Sequence, residues 1–186
     1  MKEALTFNDV NIVPGFSDIG SRKDVSLSSM GMGLPVIAAN MDSVVNSTMA
    51  YAMLGNGAQA CLHRFCTIDQ NVKDFRDSCN LNKSPMASIG LGNKELERAE
   101  ALFNAGCHSI VIDVAHGAQL SVAKQACQLR EIIGNNGCLI VGNFASSKSV
   151  RDFLSVYSSI DVVKVGIGPG AACTDVQERP AARHHS

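Results

Sequence analysis

LPVIAANMDSVVNS, residues 34–47, is the stretch that decides the fold. Its first five residues, Leu34 to Ala38, form an apolar run with no polar alternation. That is the pattern of a strand buried on both faces. Polar Asn40 and Asp42 follow at once, without a glycine-rich phosphate turn, and Ser47 to Leu54 then reads as a short helix. The same order of apolar run, polar junction and helical segment recurs along the chain. Further runs lie at Ala58–Leu62, Ala87–Gly90, Ser109–Val114, Cys138–Gly142 and Asp161–Val165. Successive runs start about 20 to 30 residues apart, the spacing of β-loop-α-loop units.

Helical periodicity fills the intervals. Thr67 and Gln70 form a plausible capping box, with Ile68, Val72 and Phe75 on one face. Asn93 can cap a helix that turns Leu96, Ala99 and Phe103 inward and closes at Gly106. Val122, Ala126, Leu129 and Ile133 form a third stripe, ending at Gly134. Val150, Phe153, Leu154 and Tyr157 form a fourth.

Two architectures fit six βα units. A doubly wound sheet suits this length and needs no missing part. A (β/α)8 barrel needs about 250 residues. The junctions favour the barrel. Polar groups follow nearly every strand: Asn40 and Asp42, His63 and Arg64, Asp113 and His116, Asn143, and the glycines after Lys164. In a barrel all these strand ends converge on one rim, where active sites sit, whereas an open sheet brings together only those at its switch point. The expected fold is therefore an α/β, (β/α)8 TIM-type barrel, incomplete, with about six of eight strands present.

Composition narrows the function. The chain has 186 residues, 46% hydrophobic and 18% charged, which makes one domain with a core, or one domain with a small appendage, and excludes a disordered or fibrous chain. Net charge is -1, so nothing electrostatic favours nucleic acid or an anionic membrane surface. The N-terminus carries no signal-peptide stretch, and no apolar run approaches a membrane span. The seven cysteines are odd in number, irregularly spaced and free of C-x-x-C pairs. Reduced thiols in the cytoplasm are the expectation, most of them small core residues.

Val163–Thr174, VKVGIGPGAACT, carries the densest chemical signal. Alternating Gly166, Gly168 and Gly170 expose backbone at short range. Such a loop can cradle a phosphate or ring a monovalent cation with carbonyl oxygens. Cys173 follows, and a thiol near backbone dipoles can serve as a nucleophile. A βα turn with an incidental cysteine is equally open. Asp113, near a strand's C-terminal end, can bind a ribose hydroxyl or orient a substrate, or simply cap a helix. His116 can be a base or a loop residue. His63 and Arg64 end the second strand, and Arg64 can meet a phosphate or lie in solvent. No metal-binding motif of His, paired Cys or clustered carboxylates is visible.

At these residues the sequence resembles the inosine-monophosphate dehydrogenase/GMP reductase family, and within it the reductase branch. The matching segments are LTFNDVNIVP (5–14), SRKDV (21–25), ANMDSV (39–44), CLHR (61–64), IDVAHG (112–117), VGNFAS (141–146) and KVGIGPGAACT (164–174). SRKDV, and the short connection from His63 to Ala87 with no room for an inserted regulatory domain, favour the reductase. The resemblance implies NADPH-dependent reductive deamination of GMP to IMP and ammonia. Cys173 aligns with a nucleophile that attacks purine C2 to form a covalent thioimidate. Gly168, Gly170 and Cys173 match positions holding a potassium ion. Arg64, Asp113, Val114, Ala115, Ile167 and Gly168 match cofactor contacts. Ser21 and Arg22 match residues reaching the cofactor of a neighbouring subunit in a homotetramer.

Other features depart from that pattern. Ala171 stands where the family has Ser, Asp175 where it has Thr, and Val176 where it has a basic residue. The expected domain boundary falls after residue 174, with DVQERPAARHHS (175–186) an unrelated polar tail. Against the family pattern, the last two strands, an Asp-Gly-Gly segment for the nucleotide and a late catalytic acid are expected to be absent from these 186 residues. A truncated or frame-shifted reading frame is the expectation, as are two open sheet edges that limit solubility or demand a partner. The alternatives are a catalytically inactive relic or partner subunit of a full-length reductase, and an NAD-dependent IMP dehydrogenase fragment.

Overall fold

Strand order separates the two candidate architectures. In a computed structural model, which describes residues 11, 13–26 and 32–167, six strands form one sheet in the order of the sequence. They are β1 (Ile37–Ala38), β2 (Gln59–Leu62), β3 (Met86–Ile89), β4 (Ser109–Asp113), β5 (Cys138–Phe144) and β6 (Val162–Val165). Every neighbouring pair is parallel. A doubly wound sheet would reverse its order at a switch point, and this one never does. The strands alternate with helices α1 (Ser47–Gly55), α2 (Ile68–Ser78), α3 (Asn93–Asn104), α4 (Leu120–Ile133) and α5 (Ser147–Val156). The sheet curls far enough that residues of β1 and β6, its two outermost strands, line one cavity of about 230 Å³. The fold is an incomplete TIM-type barrel.

The pleat sorts the strand residues into two cores. Cys61, Met86, Val111 and Ile140 point inward, with Cys138 and Val162 packed beside them. Ala60, Leu62, Ala87, Ile89, Ile110, Ile112, Leu139 and Val141 point outward under the helices, with Phe75, Leu102, Leu129 and Phe153 against them. Both faces are apolar, which is why the strands read as unbroken runs. Among the described residues, no helix is long and apolar enough to cross a membrane.

Local signals held unevenly. Thr67 caps α2, its hydroxyl accepting from the Gln70 amide at 3.2 Å. The Gln70 side chain donates to Asp74 at 2.8 Å, so only half of the expected capping box forms. The complete box lies at Ser146 and Ser149, opening α5. Asn93 is the first residue of α3 rather than its cap. Gly92 holds that position at φ 105°, and Glu95 and Gln125 occupy the nearby backbone amides. The strand expected over residues 34–38 is reduced to Ile37–Ala38, while β5 extends through Phe144. Among the described cysteines, Cys61 and Cys107 are buried, but Cys79 and Cys127 are exposed rather than core residues. All six described cysteines are free thiols.

Asp161 ties the start of β6 to its neighbours. Its Oδ2 accepts from the Leu139 amide and from Arg130 Nη2, both at 2.7 Å. Burial alone would raise this carboxyl, but the Leu139 amide and the Arg130 guanidinium outweigh it and hold it below the usual 3.8. Its contribution to stability is therefore complete above pH 3.8 and is lost as pH falls through the lower folded-state value. Asp161→Asn should lower the melting temperature at neutral pH and flatten the loss of stability below pH 4. Parallel acid limbs for the two proteins would contradict this.

Candidate functional site

Asp113, Lys164 and Asn40 meet at the C-terminal rim of the sheet. Asp113 is the last residue of β4, Lys164 lies on β6, and Asn40 follows β1 by two residues. Asn40 Nδ2 donates to Asp113 Oδ2 at 2.7 Å, and Lys164 Nζ donates to Oδ1. Each carboxylate oxygen thus has its own donor, and one donor carries a full positive charge. The side chains of Lys164 and Asp113 are 40% and 23% exposed, so the pair faces the mouth of the cavity rather than the dry core. This pairing excludes the alternative of a helix cap for Asp113, since Gln119 holds that position on α4.

Below the cluster the cavity is apolar, lined by Ile37, Ala38, Cys61, Met86, Val111, Ile140 and Val162. Burial pushes the Cys61 thiol up, and the negative charge of Asp113 adds to the shift. The thiolate form of Cys61 is therefore disfavoured.

The junctions after β4 and β5 are locked together. The Val114 amide donates to the Gly142 carbonyl at 3.1 Å, the Asn143 amide to the Val114 carbonyl at 2.8 Å, and the Gly117 amide to the Asn143 carbonyl at 2.7 Å. Close approach requires glycine at position 142, where a Cβ would stand 2.6 Å from Lys164 Cβ and 2.7 Å from its carbonyl oxygen. Val114 and Ala115 are thereby held beside Asp113. Asn143 Oδ1 is buried without a hydrogen-bond partner. A buried acceptor in that condition is unfavourable until a donor reaches it.

The other expected residues are distributed around this cluster. Arg64, half-buried, lies against the backbone of Gly90 and 5.0 Å from the centre of the Phe65 ring. His63 Nδ1 accepts from the Phe65 amide at 3.2 Å, a local turn contact. Ile167 is half-buried two residues beyond β6. Ser21 caps the short turn Arg22–Asp24 by accepting from the Lys23 amide at 3.2 Å, and both Ser21 and Arg22 are exposed. His116 turns away to a groove between α4 and α5, which it lines with Gln119, Ser149 and Asp152. Gly168, Gly170 and Cys173 lie outside the described residues. Sequence reasoning saw Asn40 and Asn143 only as strand-end polar groups and gave Lys164 no role. A lysine within the apolar run DVVKV was the available signal.

The chain is similar to known proteins over most of its length. Residues 4–179 match the family model described as the IMP dehydrogenase / GMP reductase domain. The chain is 32% identical to a GMP reductase of Mycoplasma mycoides over 177 residues, covering 90% of this chain and 53% of that protein. It is 29% identical to a GMP reductase of Lactobacillus acidophilus, covering 92% and 52%. Inosine 5'-monophosphate dehydrogenase from Legionella pneumophila superimposes with a TM-score of 0.77 at 35% identity, over 95% of this chain and 55% of that one. The chain spans about half the length of the relatives it matches. The family model spans nearly the whole of this chain, and the half-length parallel barrel agrees with it: the chain belongs to the IMP dehydrogenase / GMP reductase family.

Proposed function

We propose that this chain carries the first half of a reductase site that converts GMP to IMP and ammonia at the expense of NADPH. The observation that carries the reading is the Asn40–Asp113–Lys164 cluster beside the locked Val114–Asn143 junction. The residues present fit a nicotinamide cofactor. Asn143 offers an orphaned acceptor suited to a carboxamide N–H, and Asp113, oriented by two donors, can accept from a ribose hydroxyl. When bound, the cofactor supplies a hydride.

The chain's own chemistry follows from the resemblance at Cys173. Its thiolate adds to purine C2, a C–S bond forms, and the C2–N bond breaks as ammonia leaves with a proton. After reduction at C2 the C–S bond breaks, releasing IMP and restoring the thiolate. One difficult substitution becomes two easier ones. Arg64 would meet an anionic cofactor group. The expected potassium contacts, Gly168, Gly170 and Cys173, lie outside the described residues.

The test follows NADPH absorbance on adding GMP. GMP-dependent oxidation supports the reading. NAD reduction dependent on IMP would assign the dehydrogenase reaction instead, the one named for the Legionella structure. Absence of both would favour a non-catalytic partner subunit.

A further inference from the structure

We propose that Arg98, Asn71, Glu95 and Gln125 form a clamp whose task is to position Arg64, a claim that rests on the cofactor reading above. None of the four lies on the strand-end cluster, yet three are unusually buried for polar side chains, and Glu95 is half-buried beside them. Asn71 is 1% exposed, Arg98 3% and Gln125 5%. Buried polar groups of this kind must be satisfied, and here their partners are concentrated on two loops.

Arg98 Nη1 donates to Asn71 Oδ1 at 3.0 Å, Nη2 to the Cys66 carbonyl at 2.9 Å, and Nε to Glu95 Oε1 at 3.2 Å. Asn71 Nδ2 in turn donates to the His63 carbonyl at 3.2 Å. The backbone is thus fixed on both sides of Arg64, at His63 and at Cys66. The second arm holds the loop after β3. Glu95 Oε2 accepts from the Gly90 amide at 2.7 Å, and Gln125 Oε1 accepts from the Gly92 amide at 2.6 Å. Gln125 Nε2 donates to the Gly90 carbonyl at 2.5 Å. Gly90 is therefore pinned through both its amide and its carbonyl.

Arg64 rests where the two arms meet. A Cβ at Gly90 would stand 3.0 Å from Arg64 Cζ, 3.1 Å from Nη1 and 3.2 Å from Nε. The guanidinium lies flush on a platform made by a residue without a side chain, with Phe65 as its other neighbour. Charge alone would not explain this arrangement. The planar fork of Arg98 serves three acceptors at once, and a lysine ammonium, a point donor, does not span them.

Two variants test the clamp. Arg98→Lys keeps the charge opposite Glu95 but loses the fork. Gly90→Ala removes none of the four clamp side chains and adds a Cβ that crowds the flexible head of Arg64, 3.0 Å from its Cζ. In ¹⁵N spectra the Arg64 Nε–H resonance, assigned by its loss in Arg64→Ala, should be shifted by the Phe65 ring. It should move to the free-arginine position in both variants, while α5 amides stay in place. NADPH fluorescence titration should give about a tenfold weaker Kd for each, and less than a twofold further change when Arg98→Lys is added to Arg64→Ala. An unmoved Arg64 resonance, or an equal loss of affinity in both backgrounds, would overturn the clamp. If the unaltered chain does not bind NADPH, the cofactor reading fails and the Arg64 resonance alone decides the clamp.

Discussion

Cys173→Ala should abolish GMP-dependent NADPH oxidation, lowering the rate by at least about three orders of magnitude. The reason is chemical rather than structural. Without the sulfur no C–S bond forms at purine C2, and hydride alone would have to displace an amino group from an aromatic ring. Water or serine is a poor substitute, because the sulfur must both attack an electron-poor carbon and leave again. NADPH affinity should stay within about twofold, since the Asn40–Asp113–Lys164 cluster and Arg64 are untouched. The melting temperature should also stay constant. Loss of activity together with loss of cofactor binding or of stability would show that Cys173 supports the loop rather than the chemistry. Intact mass after incubation with GMP gives an independent check, with an adduct expected on the unaltered chain alone.

Phe144→Ala should produce the largest loss of stability, about 3–5 kcal/mol. Phe144 ends β5 with no exposed surface and meets the Phe153 ring of α5 edge-on, with centroids 5.3 Å apart at 72°. Deleting the ring removes its transfer free energy and leaves a cavity between sheet and helix, and the edge-to-face pair is lost as well. The Phe144 carbonyl also accepts from the Gly166 amide at 2.9 Å, so slack at this point reaches the start of the glycine loop. For a chain of this size the melting temperature should fall by roughly 6–20 °C. A fall below about 3 °C would mean that α5 does not depend on this contact.

The fold was legible because the strands are buried on both faces. Runs such as SIVIDV and CLIVG mark strands without alternation, and their spacing fixes the helices between them. Residues at strand ends pointed to the rim because Asp113 and Asn40 come from strands far apart in sequence that only a curled sheet brings to 2.7 Å. Lys164 escaped notice because its partner is 51 residues away, and no local pattern encodes a pairing of that range. Arg98 was hidden for a related reason. On α3 it reads as a solvent-facing charge, and only the approach of α2 and the loop after β2 turns it into a buried hub. The capping box at Thr67 formed only by half because the Gln70 side chain turned to Asp74, and α3 starts one residue early because Gly92 takes the cap position that Asn93 was expected to hold.

With the C-terminal rim of this half-barrel as the proposed cofactor site, an NADPH titration followed in ¹⁵N spectra locates the bound cofactor residue by residue. Shifts are expected at Val114, Ala115, Asn143 and Lys164, with the opposite strand ends at Gln59, Met86, Ser109 and Cys138 unmoved. Shifts confined to those opposite ends, or none at saturating NADPH, would contradict it.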